Sequence, residues 1–131
     1  MKLKPIGIIN SPYKKRGDAP RQGRQTDVIS EIIVFKEYLE GLDGVEDHKY
    51  FFIIYGLHKA EEYELKVVPA GGNEKRGLFS TRAPVRPNPI ALCLVELIEL
   101  KDDVLKVKWL DAIDGSPLLD IKPFWKEIDC I

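Results

Sequence analysis

The stretch IALCLVELIELKDDVLKVKWL, Ile90–Leu110, decides the fold. Its first part, Ile90–Leu100, is apolar and rich in strand-forming residues. Its second, Val104–Leu110, follows Lys101-Asp102-Asp103, which reads as a hairpin connection. In the second run Leu105, Val107 and Trp109 share one face, while Lys106 and Lys108 point the other way. That period of two marks a strand.

Working outward, the same signal recurs. VISEIIVF (Val28–Phe35) is β-branched, and KYFFIIYGL (Lys49–Leu57) is aromatic and β-branched with so little polar alternation that it reads as a strand covered on both faces. Leu3–Ile9, Tyr63–Val68 and Leu118–Ile121 are shorter candidates. Helical signal is thin. Phe35–Gly41 supports about two turns ending at Gly41 as a cap, and Asp43–His48 one more turn. The expected class is all-β, mainly antiparallel, with one or two short helices, as a sandwich or a barrel.

The chain has 131 residues, 44% hydrophobic and 31% charged. This is one domain, residues 1–131, able to bury about two-thirds of its unfolded surface without staples. The longest unbroken apolar run, Ile90–Val95, is too short to span a bilayer. MKLKPIGIIN carries no signal-peptide pattern, so the expected compartment is the cytoplasm. Cys93 and Cys130 form neither a disulfide framework nor a metal site; Cys93, in an apolar run, is expected in the core.

The net charge is −1, yet it is unevenly spread. Residues 1–25 hold Lys2, Lys4, Lys14, Lys15, Arg16, Arg21 and Arg24 against Asp18 alone, and residues 73–90 hold Lys75, Arg76, Arg82 and Arg86 against Glu74. Between them, residues 27–64 carry ten acids against Lys36, Lys49 and Lys59. Such asymmetry permits one basic face on a neutral protein, although scattered solvated charge gives the same counts.

Three stretches resist assignment as strands: Ser11–Thr26, Pro69–Arg76 and Asp111–Pro123. Long loops rich in Arg, Asp, Gly and Pro are candidate sites. Next to the second lies GLFSTRAPVRPNPIAL (Gly77–Leu92), where Ala83, Arg86 and Asn88 each precede a proline. Proline fixes φ and drives its predecessor to extended geometry, so this segment is stiff before anything binds. Side chains on it lose less entropy on engaging a ligand; a sheet edge guarded by prolines is the equal alternative. Asp114-Gly115-Ser116-Pro117 reads as a tight turn. Asp111, Asp114 and Asp120 suggest a metal cluster, but no histidine or cysteine at ligand spacing supports one, and no metal is expected. No phosphate loop and no catalytic triad is evident.

GLFSTRAPVRPNPIAL, with DGSPLLDIKPF (114–124) and PRQ (20–22), resembles the TsaA-like family, whose characterised members are TrmO-type tRNA methyltransferases. Here Ser116 stands for the family's commoner threonine and Phe124 for its tyrosine. The resemblance implies a compact β-barrel, a homodimer, S-adenosylmethionine as cofactor and tRNA as substrate. It also implies methyl transfer to N6 of threonylcarbamoyladenosine beside the anticodon. Carried over, the cofactor set is Pro20, Arg21, Gln22, His58, Lys59, Arg82, Leu92, Ile113, Asp114, Gly115 and Ser116. Arg86 and Asn88 are the candidate substrate contacts, Arg86 toward phosphate. The acceptor nitrogen must lose a proton, which invites a general base, and Asp114 and Asp120 are the candidates, with turn capping as the competing role for both. A SAM-binding module without catalysis and an RNA-binding barrel are the rival readings.

Overall fold

The computed structural model describes residues 1–59 and 62–131. Six strands close into an antiparallel barrel: β1 (Gly7–Asn10), β2 (Ile29–Val34), β3 (Tyr50–Gly56), β6 (Ile90–Lys101), β7 (Val104–Lys108) and β8 (Pro117–Pro123), in the order β1-β2-β7-β6-β3-β8. β4 (Lys66–Val67) and β5 (Arg76–Gly77) form a separate two-stranded ribbon. Closure is completed by β1, which pairs with β2 on one side and β8 on the other.

The hairpin read from Ile90–Leu110 is present. Lys101 pairs with Val104, so the turn narrows to Asp102-Asp103. Asp102 has φ of 56°, a left-handed conformation that aspartate tolerates well. Between Leu97 and Glu99 the register slips by one residue. A bulge of this kind bends and twists a strand, which helps a long strand wrap around a small barrel. A second slip occurs where β8 passes Ile54 and Tyr55.

Alternation places one face of each strand inside. Ile9, Ile32, Val34, Phe51, Ile53, Tyr55, Val95, Leu105, Val107 and Leu118 are buried together, and Cys93 joins them as expected. β3 is not covered equally on both faces: Phe51, Ile53 and Tyr55 are buried, whereas Tyr50, Phe52 and Ile54 are only half-buried. Phe124 packs edge-on against Tyr50 and Phe52, which explains the aromatic character of that outer face.

Trp109 departs from the expected alternation. β7 ends at Lys108, and Trp109 takes φ of 78°, so its ring leaves the inward row. It stacks on Tyr50, with the Arg24 guanidinium 4.3 Å from its centroid. The expected helices are 3₁₀ rather than α-helical. Lys36–Leu42 and Val45–Asp47 are 3₁₀ segments, and Gly44, not Gly41, takes the left-handed conformation between them. The only α-helical turn among the described residues is α1, Lys126–Asp129. Tyr63–Val68 supplies only the two residues of β4, β1 starts later than Leu3, and the third long loop shortens because β8 begins at Pro117. No helix among the described residues is long and apolar enough to cross a membrane.

Ser30 and Ile32 lie on the same inward face of β2, but the buried Ser30 hydroxyl has no hydrogen-bond partner. An unpaired buried hydroxyl is unfavourable by about 1–3 kcal/mol. Ser30→Ala is therefore expected to leave the unfolding midpoint in urea unchanged or raise it. Ile32→Ala on the same strand should destabilise by about 2–5 kcal/mol. A Ser30→Ala variant as unstable as Ile32→Ala would contradict this reading of the core.

Candidate active site

One end of the barrel collects every unusual segment. β1 and β3 finish there, and β6 and β8 begin there, because Gly56 pairs with Ile90, Tyr55 with Leu118 and Ile8 with Pro117. The loops before β2, after β3, before β6 and before β8 therefore share one rim.

The β7–β8 loop is tied to the N-terminal strand. The Gly115 N–H donates to the Ile9 carbonyl at 2.8 Å, and the Ile9 N–H donates to the Ser116 carbonyl at 2.9 Å. The Asp114 N–H donates to Tyr13, and the Ser11 hydroxyl donates to the Ala112 carbonyl at 2.7 Å. Within the turn, the Ser116 N–H and hydroxyl both reach the Ile113 carbonyl. Gly115 has φ of 83°, so the turn favours glycine there. Asp114 accepts from the Ser11 N–H at 2.9 Å and from Lys14 Nζ at 2.8 Å. Lys59 Nζ donates to the Lys14 carbonyl at 3.0 Å, and a Cβ on Gly115 would lie 3.8 Å from His58 Nε2. His58, Lys59, Asp114, Gly115 and Ser116 are thus one neighbourhood. The Lys14 bond, then the Ser11 amide, hold the Asp114 carboxyl below its ordinary range. Partial burial, then the Lys59 charge, lower the His58 imidazole.

A second neighbourhood forms around Arg82. Its Nη1 donates to Gln22 Oε1 at 2.8 Å, joining the PRQ and STR segments. Pro20 is half-buried beside the exposed Arg21, whose guanidinium lies against Gly71; a Cβ there would come within 2.8 Å of Nη1. The Pro69–Arg76 loop therefore reaches the site too. Gly23 fits against the chain where no side chain can: a Cβ would lie 1.3 Å from the Trp109 carbonyl oxygen. Leu92 projects outward from β6 with 62% of its surface exposed. Among the described residues no side-chain hydrogen bond or ion pair joins this group directly to the Asp114 group, although the 11–26 loop runs between them.

The proline segment distributes its polar residues unexpectedly. Arg86 Nη1 donates back to the carbonyls of Ala83 at 2.7 Å and Thr81 at 3.2 Å, latching its own loop. Glu96 pairs with Lys108 and Lys49, not with Arg86. Asn88 is exposed.

The three aspartates do not gather. Asp120 accepts from the Ile121 N–H and pairs with Lys122 at 3.1 Å. It lines a cavity of about 500 Å³ with Tyr38, Leu42 and His48 at the far end of the barrel, away from Asp114. Asp111, considered in the sequence only as a metal ligand, is half-buried and accepts a 2.7 Å hydrogen bond from the buried Tyr55 hydroxyl. Burial first, then the Asp111 charge, push the Tyr55 phenol far above its ordinary value. The Cys93 thiol is raised likewise, mainly by burial, and donates to the Trp109 carbonyl at 3.1 Å. No sequence signal short of knowing that Tyr55 and Asp111 face one another would have separated Asp111 from its neighbours.

Residues 8–130 match the family model of the tRNA-methyltransferase O N-terminal domain. The chain belongs to this family. An "S-adenosyl-L-methionine-binding protein" of Archaeoglobus fulgidus is 53% identical over 131 residues, covering all of this chain and 94% of its own length. The Escherichia coli "tRNA (adenine(37)-N6)-methyltransferase" is 39% identical over 91% of this chain, which spans only 55% of that enzyme. A crystal structure of TrmO superposes on the whole chain with a TM-score of 0.85 at 30% identity, and 60% of that chain is covered. The TrmO-type motifs recognised in the sequence are thus the same segments that this fold brings to one rim.

A carboxyl with a depressed folded pKa contributes stability above its ordinary value of 3.8 and loses that contribution as pH falls through the lowered one. The Asp114 carboxyl carbon should therefore titrate below 3.8 by NMR. Lys14→Ala should move the midpoint upward, because it removes the largest cause. An unmoved midpoint would show that Lys14 does not hold this carboxylate.

Proposed function

We propose that the protein is a S-adenosylmethionine-dependent methyltransferase that modifies N6 of adenine 37 of tRNA in the cytoplasm, with threonylcarbamoyladenosine as the modified nucleoside. The observation carrying this reading is the Arg82–Gln22 hydrogen bond, which joins two motif segments distant in sequence at the rim that also holds the DGSP turn. The same activity is named for the E. coli relative, of which this chain spans about half.

The residues at the rim suit the cofactor chemically. Arg82 presents a planar cation for its carboxylate, Leu92 an exposed apolar surface, and the DGSP turn a set of backbone groups. Pro20, Arg21, Gln22, His58, Lys59, Ile113, Asp114, Gly115 and Ser116 complete the proposed site. When bound, the cofactor supplies an electrophilic methyl group, so the protein's work is alignment and proton removal. Exposed Lys15, Arg16, Arg21 and Arg24 on the 11–26 loop, with Asn88 and the edge of Arg86 left over from its latch, offer contacts to tRNA phosphates.

We also propose a homodimer. Two neighbourhoods each bear part of the cofactor set, and a C2 interface brings the same loops of two chains together. Large apolar side chains are available to be covered near them: Phe79 is 78% exposed, and Tyr63, Leu65 and Leu92 are exposed as well. Light scattering at micromolar concentration is expected to give twice 14.9 kDa; a fully active particle of 14.9 kDa would overturn the dimer.

Two measurements test the activity. Arg82→Ala should weaken S-adenosylmethionine binding about tenfold or more, the loss expected for a hydrogen bond to a charged group. Arg16→Ala should not. Calorimetry that finds no binding to the wild type sinks the proposal. Nucleoside mass spectrometry after incubation with labelled cofactor should then show a methylated product on tRNA carrying threonylcarbamoyladenosine and none on tRNA with plain adenosine 37. Binding without product favours a sensor; equal product on both tRNAs removes the threonylcarbamoyl detail. Arg86→Ala should lower the melting temperature, because the Thr81 and Ala83 carbonyls lose their donor, whereas Asn88→Ala should leave it unchanged.

A further inference from the structure

Removal of the acceptor proton invites a carboxylate at the rim that no cation already holds. Asp114 is held as an anion by Lys14 and the Ser11 amide, which weakens it as a base. Asp120 pairs with Lys122 and, midway along β8, lines the cavity at the other end of the barrel. Asp111 is different. Its Oδ1 accepts from the Tyr55 hydroxyl at 2.7 Å, the Cys93 thiol lies beside the same carboxylate, and no ion pair engages it among the described residues. Asp111 is half-buried, not sealed in the core.

Its position is central. Tyr55 leads through Gly56 and Leu57 into His58. Cys93, next to Leu92, feels the charges of both Asp111 and Arg82. Ile113 and Asp114 follow Asp111 in the same loop. Asp111 thus meets β3 through Tyr55 and β6 through Cys93, and Gly23, next to Gln22, packs against Cys93 and the Trp109 carbonyl.

We propose that Asp111 is the general base of the reaction, with Tyr55 as its positioning residue; this rests on the methyltransferase reading above. The N6–H bond of the acceptor breaks and its proton passes to Asp111 Oδ2. The nitrogen pair forms the new bond to the methyl carbon, while the electrons of the broken sulfur–methyl bond remain on sulfur as a neutral thioether. No oxidant or metal is required by that balance. Tyr55 occupies one carboxylate oxygen and thereby aims the other. Because its phenol is held protonated, it stays a donor throughout the working pH range.

The test uses the full chain and tRNA carrying threonylcarbamoyladenosine. Asp111→Asn should bind S-adenosylmethionine and tRNA within about twofold of wild type, while the single-turnover methylation rate falls about 10²-fold or more, the usual range for a lost general base. Asp111→Glu should recover part of that rate. Tyr55→Phe should slow the step about tenfold with both affinities kept. An Asp111→Asn enzyme within about threefold of the wild-type rate overturns the proposal. So does a loss of cofactor affinity that accounts for the whole rate loss, which would make Asp111 a binding residue. If Asp111→Asn fails to fold by circular dichroism, Tyr55→Phe decides: a wild-type rate in that folded variant rejects the arrangement. A wild type that binds cofactor but methylates nothing overturns the methyltransferase reading and the base with it, an outcome distinct from an active wild type with an active Asp111→Asn.

Discussion

The exchange between Ile9 and the Gly115–Ser116 turn holds the two ends of this chain in one place. Ile9 receives the Gly115 N–H and donates to the Ser116 carbonyl. These bonds extend the β1–β8 pairing that closes the barrel. A closed barrel leaves no sheet edge exposed to other chains. A six-stranded barrel is also filled by its own side chains: Phe51, Ile53, Leu105 and Leu118 are buried within it. The motif segments therefore gather outside the filled interior, at the rim where the loops arrive. The same closure makes a DGSP turn near the C-terminus a neighbour of Ser11, Tyr13 and Lys14.

Rigidity at that rim comes from backbone more than from side chains. Prolines stiffen residues 83–89, and the segment is also hydrogen-bonded to the stretch after β3, through Leu57 to the Pro89 carbonyl and Glu64 to the Val85 carbonyl. Arg86 folds back onto Ala83 and Thr81, while Arg82 reaches across to Gln22. The two arginines on one stiff segment therefore divide their work: one organises the loop, the other bridges to a second loop. Gly23 adds a contact of another kind, since its missing Cβ is what lets the chain lie against the Trp109 carbonyl.

Three aspartates within ten residues of sequence end in three electrostatic settings. Asp114 is stabilised as an anion by a lysine and an amide, which suits a structural anchor and weakens it as a proton acceptor. Asp120 is neutralised by its neighbour Lys122. Asp111 is half-buried, accepts from a buried tyrosine and forms no ion pair among the described residues. Similar residue types thus acquire different capacities from the partners that the fold delivers to them.

The local code was legible where a single period governed a run. Ile90–Leu110, Val28–Phe35 and Lys49–Leu57 are strands within a few residues of where alternation and β-branching place them, and the motif segments PRQ, STR and DGSP were recognisable as words. Alternation failed at Trp109, where a left-handed φ turns the ring outward and the carbonyl lies against Gly23, a residue 86 positions earlier. The sequence also placed Asp114 and Asp120 together as candidate bases, since a linear string records spacing and not direction. Only barrel closure and register decide that Asp120 faces the far-end cavity, that Arg86 turns inward on its own loop, and that Tyr55 meets Asp111 across more than fifty residues. Short-range geometry is written in each residue's own dihedral preferences. Which polar groups meet depends on strand pairing, and that is a property of the whole closed sheet.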